Sequence, residues 1–175
     1  VEDRTTTIDA CAARAQSDGV LICSVFSHDE DSFFELVARA AELEPDLIEL
    51  NLSCPNVGDE FGRPFAFSPQ ATTAAVSMSR RATKLPVLAK LTAMAPDILA
   101  VAKAALAAGA DGLVTTNTLG PGMLIDVHRR CPVLANVVGG VSGAAIRPIA
   151  LRSVWQLAEL GAPVVGVGGV STGEH

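Results

Sequence analysis

The sequence contains no tyrosine and a single tryptophan, and aromatic residues make up 4% of the chain. That leaves nothing from which to build a base-stacking platform. It also lacks a basic excess: 13 Lys and Arg stand against 19 Asp and Glu, for a net charge of −6. Neither a nucleic-acid nor an anionic-membrane partner is expected of such a charge balance. The four cysteines, Cys11, Cys23, Cys54 and Cys131, include no CxxC pair. Their scatter argues against a zinc site or disulfide framework and for a reduced, cytoplasmic chain. His28, His128 and His175 show no ligand spacing, so no metal is expected. The mean hydropathy is positive, +0.38, yet no apolar run approaches the roughly 20 residues of a spanning helix. The N-terminus, Val1, Glu2, Asp3 and Arg4, is polar rather than signal-like.

What is present is an ample core. With 175 residues, 49% of them apolar and 18% charged, the chain has the size and composition of one packed domain. Short apolar runs alternate with segments of helical period, the pattern of repeated βα units. Strands are predicted at 19–27, 47–53, 87–92, 112–117 and 164–167, each apolar enough for a parallel strand buried on both faces. Helices are predicted over 31–44, from Ser68 and Pro69 onward, over 96–108 and over 148–160. Asp29 or Asp31 would cap the first; Gly109 and Gly161 would end the third and fourth. The strand starts are separated by roughly 28, 40, 25 and 52 residues, whereas a βα unit needs about 30. The excess length falls after the second and fourth strands, in segments 54–67 and 118–147. Loops at the carboxyl ends of parallel strands carry ligands and chemistry, so these segments are the expected site.

The first of them follows Glu49, Leu50, Asn51, Leu52, Ser53, Cys54, Pro55 and Asn56. Two carboxamides, a hydroxyl and a thiol at one strand end suit a planar, amide-rich ligand, and a thiol of lowered pKa can serve as base or nucleophile. Lys90 stands in the apolar run Val87, Leu88, Ala89, Lys90 and Leu91. An unpaired ammonium there costs several kcal/mol, so Lys90 must meet an anion or reach solvent. Thr115, Thr116, Asn117 and Thr118 close the fourth strand with polar groups. Two glycine-rich runs follow: Gly139, Gly140, Val141, Ser142 and Gly143 ahead of the last helix, and Gly166, Val167, Gly168 and Gly169 after the last strand. Such glycines let backbone N–H groups approach a phosphate closely. Their spacing does not fit GxGxxG after a first strand, which argues against nicotinamide bound in the Rossmann manner.

In chain order, the run from Asn51 to Asn56, Ala89–Lys90–Leu91, Asn117–Thr118–Leu119, the stretch from Leu134 to Ala150 and Gly166–Gly169 resemble dihydroorotate dehydrogenase. The likeness spans almost the whole chain and is most specific from Leu47 onward. Cys54 in its motif position resembles the class 1 enzymes, and the stretch Gly139–Ala150 resembles the class 1B catalytic subunit most. The resemblance implies an α/β fold, an incomplete (β/α)8 TIM barrel with about strands three to seven present, forming one partial FMN-binding domain over residues 1–175. It implies FMN-dependent oxidation of (S)-dihydroorotate to orotate in pyrimidine biosynthesis, with Cys54 as base. Asn51, Asn56, Asn117 and Thr118 would bind substrate; Ser24, Asn51, Lys90, Thr116, Gly143, Gly168 and Gly169 would contact FMN. Ser24 occupies a position where class 1B enzymes often carry Asn. The implied partner is an iron–sulfur and FAD subunit passing electrons to NAD, in a homodimer or heterotetramer.

Two other readings compete. One is a dihydropyrimidine dehydrogenase-like uracil or thymine reductase, which shares several motifs; the other is a binding module that keeps a barrel core without chemistry. The family's Lys-Thr after its second strand, its substrate loop and its last phosphate clamp have no counterpart in these 175 residues. With Val rather than Met at position 1, the expectation is a fragment, about two-thirds of a barrel, that is inactive and poorly stable alone.

Overall fold

A computed structural model describes residues 19–53 and 64–175. Its main element is a five-stranded sheet of β1 (Ile22–Val25), β2 (Leu47–Asn51), β3 (Val87–Lys90), β4 (Gly112–Thr115) and, last in the chain, β9 (Val164–Gly166). All neighbours are parallel, in the order β1-β2-β3-β4-β9. The helices α1 (Glu30–Glu42), α2 (Pro69–Ala82), α3 (Ile98–Ala107) and α4 (Arg147–Ala158) return the chain between strands. The sheet does not close, so this is an open part of a (β/α)8 barrel with an edge at β1 and another at β9. No helix among the described residues is long and apolar enough to cross a membrane.

Local chemistry explains the helix starts. Asp29, rather than Asp31, caps α1, accepting from the Ser32 N–H at 2.7 Å and the Ser32 hydroxyl at 2.8 Å. These bonds, the backbone one foremost, hold the Asp29 carboxyl below the usual range. Ser68 caps α2 with Pro69 at its first position, and Asp97 caps α3.

Side-chain alternation divides the sheet into two faces. Ile48, Leu50, Val87, Ala89 and Leu113 are fully buried against Phe33, Val37, Val76, Val101 and Leu157 of the helices. The intervening residues, Ser24, Glu49, Asn51, Leu88, Lys90 and Val114, form the opposite, barrel-interior face. The predicted burial of every strand on both faces holds for β3 and β4 but not for β1 and β9, where Ile22 is 43% and Val165 43% exposed. Both are edge strands with no neighbour on one side among the described residues.

The predicted loop 118–147 is more ordered than its composition suggests. It folds into two antiparallel pairs, β5 (Leu119–Gly122) with β8 (Gly139–Val141), and β6 (Ile125–Asp126) with β7 (Cys131–Pro132).

At the amino-terminal end of the sheet, Arg80 of α2 joins three segments. Its guanidinium donates to the carbonyls of Thr83 and Leu85, both at 2.6 Å, and to Asp111 at 2.9 Å. The same Asp111 oxygen accepts from the Val87 N–H at 2.8 Å, aligning β3 with β4. Arg80→Ala is expected to cost about 1–3 kcal/mol, since two carbonyls lose their donor. Arg80→Lys should recover little, because an ammonium cannot reproduce the planar fork. Urea midpoints of the full-length protein measure both; an unchanged midpoint for the alanine variant contradicts the assignment.

Candidate functional site

The carboxyl ends of the strands collect the polar residues, and the parallel register sets which meet. Ser24 lies opposite Glu49 across β1 and β2, and Asn51 lies opposite Lys90 across β2 and β3. Lys90 therefore does meet an anion: its Nζ stands 3.6 Å from Glu49 Oε1. The Ser24 hydroxyl donates to that same oxygen at 2.7 Å.

One strand end over, Asn117 ties the site together. Its Nδ2 lies 2.9 Å from Asn51 Oδ1, 2.9 Å from the Ser53 carbonyl and 3.1 Å from Ser53 Oγ. Its Oδ1 accepts from the Thr118 N–H at 2.8 Å. Asn117 is buried and its amide fully committed, so it can bind a ligand only by exchanging one of these partners. Asn51 is placed differently. Its Oδ1 also accepts from the Ser53 N–H at 3.3 Å, whereas its Nδ2 hydrogens have no partner among the described residues. The Thr116 hydroxyl accepts from the Ala93 N–H at 2.8 Å, which leaves its own hydrogen available to donate.

A cavity of ≈ 330 Å³ opens beside this network. Seven residues singled out by the sequence line it: Lys90, Thr116, Asn117, Thr118, Gly143, Gly168 and Gly169. Gly143, Gly168 and Gly169 have φ of 79°, 128° and 75°, a region side chains rarely adopt. At Gly169 space forbids a side chain as well, since a Cβ would stand 2.6 Å from the Gly143 carbonyl oxygen. The amides of Gly168 and Gly169 donate to no backbone carbonyl among the described residues. Free backbone donors, a left-handed glycine pair and a nearby cation suit a phosphate-bearing planar cofactor such as FMN.

The other glycine run departs from its expected role. Gly139 and Gly140 sit in β8 rather than at a helix start, and a Cβ on Gly140 would strike the Thr118 hydroxyl. These glycines let β8 pack on Thr118; from this run only Ser142 and Gly143 reach the cavity. A larger hollow of ≈ 590 Å³ lies between α4 and β9, walled by Leu151, Val154 and Val170, without any of the polar strand-end residues. Arg147, Glu174 and His175 also line it, one Arg147 guanidinium nitrogen lying 3.2 Å from His175 Nδ1.

Cys54 and Asn56 lie outside the described residues. Cys23 is placed on the helix-facing side of β1, where burial pushes its thiol pKa up. Among the described residues no group of three or more side chains could hold a metal ion. The residue to which sequence reasoning gave no role is Glu49, whereas the Ser53 hydroxyl it did single out is engaged by Asn117. Glu49 was legible in principle, being two positions before Asn51 and so on the same strand face as Lys90.

Comparison with known proteins follows the same lines. The family model for dihydroorotate dehydrogenase matches residues 5–175. The chain is 43% identical to the catalytic subunit of dihydroorotate dehydrogenase B (NAD(+)) from Alkaliphilus metalliredigens, covering 88% of this chain and 51% of that one. The corresponding subunit from Methanocaldococcus jannaschii is 42% identical, over 88% of this chain and 50% of its own. The chain thus spans about half the length of the curated relatives it matches. Among solved structures, the carboxyl transferase domain of Rhizobium etli pyruvate carboxylase superposes with a TM-score of 0.47 at 16% identity, over 58% of this chain and 17% of that one. The family match spans every described residue, so the chain belongs to the dihydroorotate dehydrogenase family.

Proposed function

We propose that the full-length protein carrying this sequence oxidises (S)-dihydroorotate to orotate in pyrimidine biosynthesis, with FMN as its flavin. The observation that carries this reading is the gathering of Lys90, Asn117, Thr118 and the Gly143, Gly168 and Gly169 backbone around one cavity in a chain of this family. When bound, FMN supplies a hydride acceptor at N5.

The protein's own residues supply the rest. Cys54, as thiolate, removes the C5 proton of dihydroorotate; the electron pair left at C5 forms the C5=C6 double bond as hydride departs C6. Lys90 would help hold the flavin and would set a positive charge beside it, stabilising the negative charge that develops on reduction. Asn51 offers its unpartnered Nδ2 hydrogens to flavin and substrate. Asn117 and Thr118, with Asn56, hold the ring amides and the carboxylate, Asn117 by giving up its bond to Asn51 or Ser53. Thr116 fixes the approach of the 91–93 segment to the cavity, and the free amides of Gly168 and Gly169 receive the phosphate. Ser24 joins this machinery through its hydrogen bond to Glu49.

The relatives are named catalytic subunits of an NAD-linked enzyme. We extend that to this protein: an iron–sulfur and FAD subunit takes the electrons onward, within a heterotetramer built on a homodimer.

The test is turnover by the purified full-length protein. It should be yellow, contain FMN, and oxidise dihydroorotate at least a hundredfold faster than dihydrouracil. Preference for dihydrouracil would instead make it a pyrimidine-base reductase; absence of flavin would leave a binding module.

A further inference from the structure

The Glu49–Lys90 pair is not explained by stability. Their side chains are only 14% and 21% exposed, and taking two charges this far out of water costs more than a well-packed apolar pair of similar volume. The neighbouring barrel-interior positions Leu88 and Val114 show that apolar residues fit this face, being 7% and 2% exposed. Lys90 lines the ≈ 330 Å³ cavity, whereas Glu49 does not. Glu49 stands behind Lys90, pinned by the Ser24 hydroxyl at 2.7 Å on the far strand.

A lysine ammonium is a point charge on a flexible four-carbon stem. Left alone it samples many positions; a carboxylate fixed by a second strand selects one. The same carboxylate cancels part of the charge that Lys90 presents to the cavity. We propose that Glu49 is the positioning residue for Lys90 and that the Ser24–Glu49–Lys90 chain across β1, β2 and β3 sets the reduction potential of the bound flavin. The inference rests on the flavin reading above and adds to it a residue that touches neither cofactor nor substrate.

The sign follows from charge. Glu49→Gln keeps the size of the side chain and an acceptor for Ser24 but removes the negative charge, so Lys90 acts on the flavin uncompensated. The two-electron equilibrium should shift at least tenfold toward reduction, a rise of about 30 mV in midpoint potential, read by spectroelectrochemical titration of the FMN-loaded full-length protein. Glu49→Asp keeps the charge and should shift the equilibrium less than Gln does. A purely structural role demands the reverse order, because Asp is shorter and Gln is isosteric. In a Lys90→Met background, Glu49→Gln should lose most of its effect if it acts through Lys90.

A shift below threefold in Glu49→Gln, a larger shift in Glu49→Asp than in Glu49→Gln, or an undiminished effect in the Lys90→Met background overturns the inference while leaving the flavin reading intact. A full-length protein that binds no flavin overturns both.

Discussion

Replacing Cys54 with alanine is expected to lower kcat for dihydroorotate oxidation by about 10²–10⁴-fold, the usual contribution of a positioned general base, with FMN content unchanged. The pH profile carries the sharper information. A thiol has an ordinary pKa of about 8.5, so only a few per cent is thiolate at neutral pH. Because the deprotonated form is the active one, kcat should climb close to tenfold per pH unit below that pKa and level off above it. Cys54→Ser puts a far weaker acid in place, so its rate should go on rising beyond the pH at which the native enzyme levels. A native profile that stays flat between about pH 6 and 9 while chemistry is rate-limiting would contradict the assignment. Cys23 cannot stand in for the missing thiolate: it faces the helices rather than the barrel interior, and burial favours its neutral form.

The second large effect is expected at Gly169. A residue with a side chain at φ 75° carries roughly 1–3 kcal/mol of backbone strain. Alanine there would also bring its Cβ to 2.6 Å from the Gly143 carbonyl oxygen and 2.9 Å from Arg147 Cβ. Neither is the far end of a flexible side chain, so relief requires the turn after β9 to move away from residue 143. Because both glycines line the cavity, FMN affinity should fall by about 10²-fold or more, taking 1.4 kcal/mol per factor of ten. Gly143→Ala provides the comparison. It shares a positive φ of 79° but would meet nothing within 4 Å, so its cost should be conformational alone and its loss of affinity clearly smaller. Fluorescence titration of apoprotein with FMN measures both. Equal losses would mean that backbone conformation, and not the contact between the two turns, governs the cradle.

Much of this architecture was legible residue by residue. The βα alternation, the caps at Asp29 and Ser68, and the placement of Asn51, Lys90 and Asn117 at strand ends all follow from local rules: period, cap chemistry and the alternation of side chains along a strand. The 118–147 segment was not legible as strand. Leu119, Gly120, Pro121 and Gly122 are poor strand formers, and only pairing with Gly139–Val141 makes them a ladder. Glycine in that run reads equally as phosphate loop or close packing; the contact of Gly140 with Thr118 chooses the second.

The charge on Lys90 shows the same division. A cation inside an apolar strand requires a counter-charge, which is a statement about desolvation and holds whatever the fold. Which carboxylate answers it is a question of register, because Glu49 is 41 positions away in the chain and comes within 3.6 Å only when β2 and β3 pair as they do. By itself the sequence determined the fold class, the family and the residue types at the strand ends, since those follow from local patterning and motif spacing. Only the tertiary structure decided that Asn117 is bound inward to Asn51 and Ser53, that no described residue takes the Asn51 donors, and that the Ser24 hydroxyl bonds Glu49. Hydrogen-bond partners are chosen by differences of about an ångström in the separation of groups on separate strands, and no one-dimensional pattern contains them.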